Sequence, residues 1–229
     1  MLLLALDTAT PAVTVALHDG RTVLASSHQV DARRHGELLL PAVQRVLAEA
    51  SATPADLTDV VVGTGPGPYT GLRVGLATAA AFGAALDVPV RGLCTLDGIA
   101  YAAGLAGLAG PFAVATDARR KEVYWARYAD PRTRITEPAV DRPAEIAEVL
   151  AGQPVVGAGG TLYREVFAAS PSAELPAGGE LPEHQSAAAL AGLAVEMLAA
   201  GAEFPPCRPL YLRRPDAQVP ANYKVVTPQ

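Results

Sequence analysis

The sequence predicts an α/β protein built as two joined lobes, the first larger than the second. Three observations carry this. After an opening hairpin meander, strand-like apolar runs alternate with stretches of helical periodicity, the pattern of a sheet with helices packed on it. At 229 residues the chain is long for one compact domain and short for two independent ones. Half of it is hydrophobic and 18% charged, enough for a sizeable core; with 5% aromatics that core is aliphatic and rich in alanine.

The first lobe is expected over residues 1–107. Residues 2–6, 12–18 and 22–28 are short β-favouring runs joined by tight turns, one of them His18-Asp19-Gly20-Arg21, and read as an antiparallel meander. Over 35–50, Leu38, Leu39, Ala42, Val43, Val46, Leu47 and Ala50 recur at i, i+3/i+4, which predicts an amphipathic helix; Pro41 inside it predicts a kink or a restart. Residues 59–63 (DVVVG) read as a buried strand, 71–86 as a helix, 88–93 as a strand and 95–106 as a helix.

The smaller lobe is expected over 108–204. It opens with strands at 112–116 and 122–128 around the turn Asp117-Ala118-Arg119-Arg120-Lys121. A short helix at 143–150, a short strand at 154–157, a helix at 161–169 and a loop at 170–183 follow. The helix at 186–200 has Ser186 as N-cap and Gly201 as its stop, and either stays with this lobe or packs back on the first. Residues 205–229 hold five prolines ahead of Pro228, and set Arg208, Arg213, Arg214 and Lys224 against Asp216. They read as an extended basic tail that either touches a nucleic acid or an acidic partner or simply solubilises the chain.

Composition excludes several functions. The formal charge of −5 gives no global attraction to nucleic acid or to an anionic membrane. The stretch between Asp97 and Asp117 is uncharged, but its glycines and Pro111 make it a helix, a turn and a strand rather than a membrane span. MLLLALD lacks the basic flank of a signal peptide, and Cys94 and Cys207 make no disulfide framework, so a soluble, cytoplasmic protein is expected. The four histidines include no pair at helical ligand spacing and there is no CxxC, so no metal site is expected. None of the six serines lies in GxSxG, and neither lysine follows a glycine, which removes the nucleophile elbow and the Walker A loop. Cys94, at a strand end among apolar residues, reads as an inert thiol.

Four segments stand out. GTGPGPYTGLRVG (63–75) joins a strand to a helix; its glycines either expose N–H groups to an anion or make a tight crossover. The helix after it carries no charge from Val74 to Leu86 and has Gly71, Gly75, Ala79 and Gly83 at strict i+4 spacing. Each interior glycine costs about 1 kcal/mol against alanine. The ridge is therefore expected either to be buried between the lobes or to form, with the 35–50 helix, an exposed seam for another subunit, while Val74, Thr78, Phe82 and Leu86 face the sheet. Asp7-Thr8-Ala9-Thr10 ends the first strand and reads either as a metal-nucleotide corner or as turn caps. Arg119-Arg120-Lys121 precedes Tyr124-Trp125 and reads as an RNA contact or a solvated turn.

LALDTAT at the start, His35-x-x-x-Leu39-x-Pro41, GPGPYTGLRVG, DARRKEVYWARY and Pro209-x-x-Leu212-Arg213 together resemble the TsaB (YeaZ) family of bacterial tRNA-modification proteins. The resemblance covers most of the chain and weakens from about residue 130. It implies the two-lobed fold of actin, sugar kinases and heat-shock ATPases, each lobe built on an RNase H-like sheet. It also implies kinship with TsaD, the catalytic subunit that transfers a threonylcarbamoyl group to the adenosine next to the anticodon. TsaD-like proteins hold a metal with His-x-x-x-His; the matching stretch here, Cys94–Ala100, has no histidine. A non-catalytic subunit with no cofactor of its own is thus implied. It would pair with TsaD through the first two helices, be joined by the ATPase TsaE, reach tRNA indirectly or weakly, and homodimerise when alone. The seam is expected to use Leu38, Leu39, Ala42, Val46, Gly75, Ala79 and Gly83. One rival is a phosphotransferase or ATPase with Asp7, Thr8, Gly65 and Gly67 near phosphate; a metallopeptidase is the other.

Overall fold

The computed structural model describes residues 1–173, 175, 176 and 179–213. A first sheet is made of β1 (Leu3–Asp7), β2 (Ala12–His18), β3 (Val23–Val30), β4 (Asp59–Gly63) and β5 (Val90–Leu93), in the spatial order β3-β2-β1-β4-β5. β1, β2 and β3 pair antiparallel, as their tight turns require. β4 and β5 join in parallel because helical crossovers deliver them, α1 (His35–Glu49) before β4 and α2 (Tyr69–Leu86) before β5. α1 runs unbroken through Pro41, so the expected restart does not occur.

α1 and α2 cover one face of this sheet, over a core of Leu4, Leu6, Val13, Val15, Leu17, Val60 and Val62. On the other face α6 (Ala187–Ala199) packs with Tyr101 over Leu3, Ala5, Ala16 and Val61, so the last helix lies on the first sheet. β2, flanked by strands and covered on both faces, is buried at all seven positions.

The second sheet holds β6 (Phe112–Asp117), β7 (Val123–Asp130), β8 (Thr133–Arg134), β9 (Ala139–Asp141) and β10 (Val155–Val156), in the order β10-β6-β7-β8 with β9 also on β7. α3 (Thr95–Leu105) is shared. Its Leu96, Ile99, Ala100 and Ala103 pack on Phe112, Val114 and Tyr128 of the second sheet, while Tyr101 turns to the first. The remaining α-helices among the described residues are α4 (Pro143–Ile146) and α5 (Ala158–Leu162). α4 is shorter than expected, and α5 replaces the helix expected at 161–169. β8 and β9 were not expected: two and three residues carry no readable periodicity, and only pairing with β7 makes them strands.

The described part of the expected tail forms no helix or strand. These residues, 205–213, strap one lobe to the other. Leu210 N–H donates to the Thr64 carbonyl at 2.8 Å in the first lobe, and Arg213 donates to the Ala118 carbonyl at 2.9 Å in the second and pairs with Glu122. The rest of the expected tail, with Arg214, Asp216 and Lys224, lies outside the described residues. Among the described residues no helix is long and apolar enough to cross a membrane.

Candidate functional site

The turn after β1 and the loop before α2 meet at one end of the first sheet. Asp7 is fully buried there. One carboxylate oxygen accepts from Ala9 N–H at 2.7 Å and the other from the Thr95 hydroxyl at 2.8 Å; the Thr95 oxygen in turn accepts from Gly65 N–H at 3.1 Å. Burial pushes the Asp7 carboxyl up to about 6, against those two hydrogen bonds, which pull it down. The Thr8 hydroxyl donates to the Gly71 carbonyl at 2.7 Å and accepts from Gly75 N–H at 2.9 Å. Gly67 lies flat on the first turn, where a Cβ would come within 2.1 Å of the Ala9 carbonyl oxygen. The structure thus brings Asp7, Thr8, Gly65 and Gly67 together, and both polar side chains are engaged by this chain's own groups.

Beside this corner a cavity of about 300 Å³ opens between the lobes, lined by Thr10, Arg33, His35, Thr70, Asp117 and Arg119. His35 Nε2 lies 2.8 Å from the Thr10 carbonyl, and in the cavity wall the Arg119 cation pairs with the Asp117 carboxylate at 3.6 Å. Among the described residues no group of three His, Cys, Asp or Glu side chains is placed to hold a metal ion.

The ridge on α2 points inward, and this corrects the seam as the sequence drew it. Gly71 and Gly75 sit on Thr8, where Cβ atoms would lie 2.6 Å from its carbonyl oxygen and 2.7 Å from its hydroxyl. Ala79 is fully buried in the core, and a Cβ at Gly83 would lie 2.2 Å from Val90 Cγ2. The missing side chains let α2 settle on β1 and β5 of its own sheet. Of the four residues expected to face the sheet, Val74, Phe82 and Leu86 are half-buried and pack against this core, and Thr78 is half-buried. On α1, Leu39, Ala42 and Val46 belong to the same core, and Leu38 packs against it half-buried. None of the seven expected seam residues is fully exposed.

The opposite side of the pair is bare. Thr70, Arg73, Ala77, Ala80, Ala81, Ala84 and Ala85 of α2 are exposed, as are Leu40, at 53%, and Pro41 of α1. From Val74 onward α2 presents no charge to solvent. The signal for this face was available: the helix is apolar on all sides, so its outer positions are small and uncharged too.

Two further features escaped the sequence. Asp97 on α3 accepts from the Tyr128 hydroxyl at 2.8 Å and from Arg134 at 3.1 Å, joining α3 to β7 and β8. Without β8 that contact could not be foreseen. Cys94 beside it is buried, and burial foremost pushes its thiol up to about 12. The turn Arg119-Arg120-Lys121 holds three successive residues at φ of 62°, 55° and 62°, and Arg213 clamps it through Ala118. Of the aromatics beside it, Tyr124 is buried and Trp125 gives its indole N–H to Asp141 at 2.7 Å, so neither extends the basic turn as a free stacking platform.

A sequence model of the TsaD family, described as tRNA N6-adenosine threonylcarbamoyltransferase, matches residues 23–200. An uncharacterized protein of Mycobacterium tuberculosis (strain H37Rv) is 46% identical over 224 residues, covering 94% of this chain and 93% of its own. The tRNA threonylcarbamoyladenosine biosynthesis protein TsaB of Escherichia coli is 38% identical over 128 residues, 56% of this chain and 55% of that one. Among solved structures, YeaZ from Pseudomonas aeruginosa superposes with a TM-score of 0.73 at 30% identity, covering 92% of this chain and all of that one.

Proposed function

The chain belongs to the TsaB (YeaZ) family, and from that premise we propose that it serves tRNA threonylcarbamoyladenosine biosynthesis as a non-catalytic subunit. The complex it supports moves the threonylcarbamoyl group from threonylcarbamoyl-AMP to the adenosine next to the anticodon, in tRNAs reading codons that begin with adenine. The chain pairs with a TsaD subunit through the outer face of α1 and α2, helps recruit the ATPase TsaE, and pairs with itself when alone. It works in the cytoplasm and meets tRNA chiefly through its partner.

One observation carries this reading: the outer face of α2 is exposed, built of small residues and uncharged from Val74 to Leu86. Side-chain-poor helices let a partner backbone approach closely, and a contiguous apolar face is costly to leave in water. The engaged corner at Asp7 supports a supporting role, since its carboxylate faces Ala9 and Thr95. The strand orders β3-β2-β1-β4-β5 in the first sheet and β8-β7-β6-β10 in the second, each antiparallel then parallel, support reading each lobe as RNase H-like and the pair as the fold of actin, sugar kinases and heat-shock ATPases.

The test is reconstitution of tRNA threonylcarbamoylation from purified subunits. Omitting this chain should abolish multiple turnover, and Ala81→Arg, on the exposed face, should do the same while melting like the wild type. Turnover that proceeds unchanged without the chain overturns the reading.

A further inference from the structure

A groove of about 710 Å³ runs beside the outer face of α2, lined by Tyr69, Arg73, Ala77, Ala80, Cys207 and Tyr211 among others. One wall is the strap, fixed by Leu210 N–H on the Thr64 carbonyl. Tyr211 stacks on Tyr69 with ring centroids 5.1 Å apart, and both rings stay about half exposed, at 45% and 52%. The Arg73 guanidinium sits 5.0 Å from the Tyr69 ring centre and donates to its hydroxyl at 2.6 Å. Among the described residues no carboxylate lines the groove and none pairs with Arg73. Ala77 and Ala80 belong both to this groove and to the bare face, so the two surfaces are continuous.

We infer that the groove is a second half of the docking face, and that it receives a segment of the same partner carrying a carboxylate among aliphatic side chains. The inference rests on the docking reading above. Charge selects the occupant: the described residues give the groove one cation and no anion. A second copy packed α2 against α2 brings no acid from that helix, which has none from Tyr69 to Leu86. Tyrosine and arginine are the usual anchors of protein interfaces, and here the rings are already held in place, so little side-chain freedom is lost on binding.

Cys207 allows the test on the unaltered protein. It is exposed whereas Cys94 is buried, so at pH 8 a maleimide reacts at Cys207. With saturating TsaD-type partner, labelling should slow about tenfold or more. Unchanged labelling in a complex verified by light scattering overturns the groove while leaving the docking reading standing. Protection that appears in this chain alone, rising with its concentration, makes the occupant a second copy and also overturns it. Failure of any complex to form removes the docking reading itself. Arg73→Gln should melt like the wild type, weaken partner binding about tenfold and flatten its salt dependence. Unaltered affinity and salt slope would show that no carboxylate meets Arg73.

Discussion

On its inner face α2 carries Gly71, Gly75, Ala79 and Gly83, seated on Thr8, the core and Val90. On its outer face it carries Ala77, Ala80, Ala81 and Ala84, exposed to solvent. Both rows are small, yet the inner row is small because this chain's own sheet already occupies the space a side chain would need. The outer row has no such neighbour among the described residues. A stripe of small residues therefore marks close approach without saying to what, and only the orientation of the helix separates self-packing from docking.

Arginine placed on each row should separate them most sharply. Ala79→Arg would bury an unpaired guanidinium in the first-lobe core, at a cost of several kcal/mol, enough to unfold a marginal domain. Ala81→Arg should shift stability by no more than about 0.5 kcal/mol and abolish partner binding instead. Equal melting curves for the two would erase the distinction between the faces.

The inner corner makes the next largest prediction, and it depends on pH. Burial holds the Asp7 carboxyl at about 6, above the ordinary 3.8, so the folded state favours its protonated form. That contribution is complete below about pH 4 and is lost as pH rises through 6, leaving the ionised group to oppose folding by up to about 3 kcal/mol at pH 8. Asp7→Asn should therefore raise the melting temperature at pH 8 and lose that advantage at pH 4. A gain independent of pH would show that Asp7 does not titrate in this range.

A smaller effect is expected at Gly75→Ala. The added methyl meets the Thr8 hydroxyl, itself fixed by two hydrogen bonds, and overpacking of about 1–3 kcal/mol outweighs the helix propensity gained. Chemical denaturation should give a net loss of about 1 kcal/mol. Least affected in stability should be Leu40→Ser on the bare face of α1, within about 0.5 kcal/mol of wild type, with partner affinity measured by calorimetry reduced about tenfold.

Much of the fold was legible. β2 and β4 fall on the residues expected, and α1, α3 and α6 within a residue of them, because each has a clean period and a turn or cap at its ends. β8, β9 and the bounds of α4 and α5 were not, since elements of two to five residues are specified by what they pair with. At the corner, the sequence assembled Asp7, Thr8, Gly65 and Gly67 as one group but not the Thr95 hydroxyl that closes it, 88 positions from Asp7.

Local chemistry along the chain determined that α2 would be uncharged, glycine-ridged and placed after a glycine-proline loop, and that β1 would end in an acid and two threonines. Tertiary structure alone decided which way that ridge turned, that residues 205–213 strap one lobe to the other, and that Asp7 would be sealed from water. The reason is physical. A helix period fixes which residues share a face, but which face meets the sheet depends on steric fit between partners far apart in sequence. Here Thr8 and Val90 settled against Gly71, Gly75 and Gly83 of α2 and not against its outer alanines.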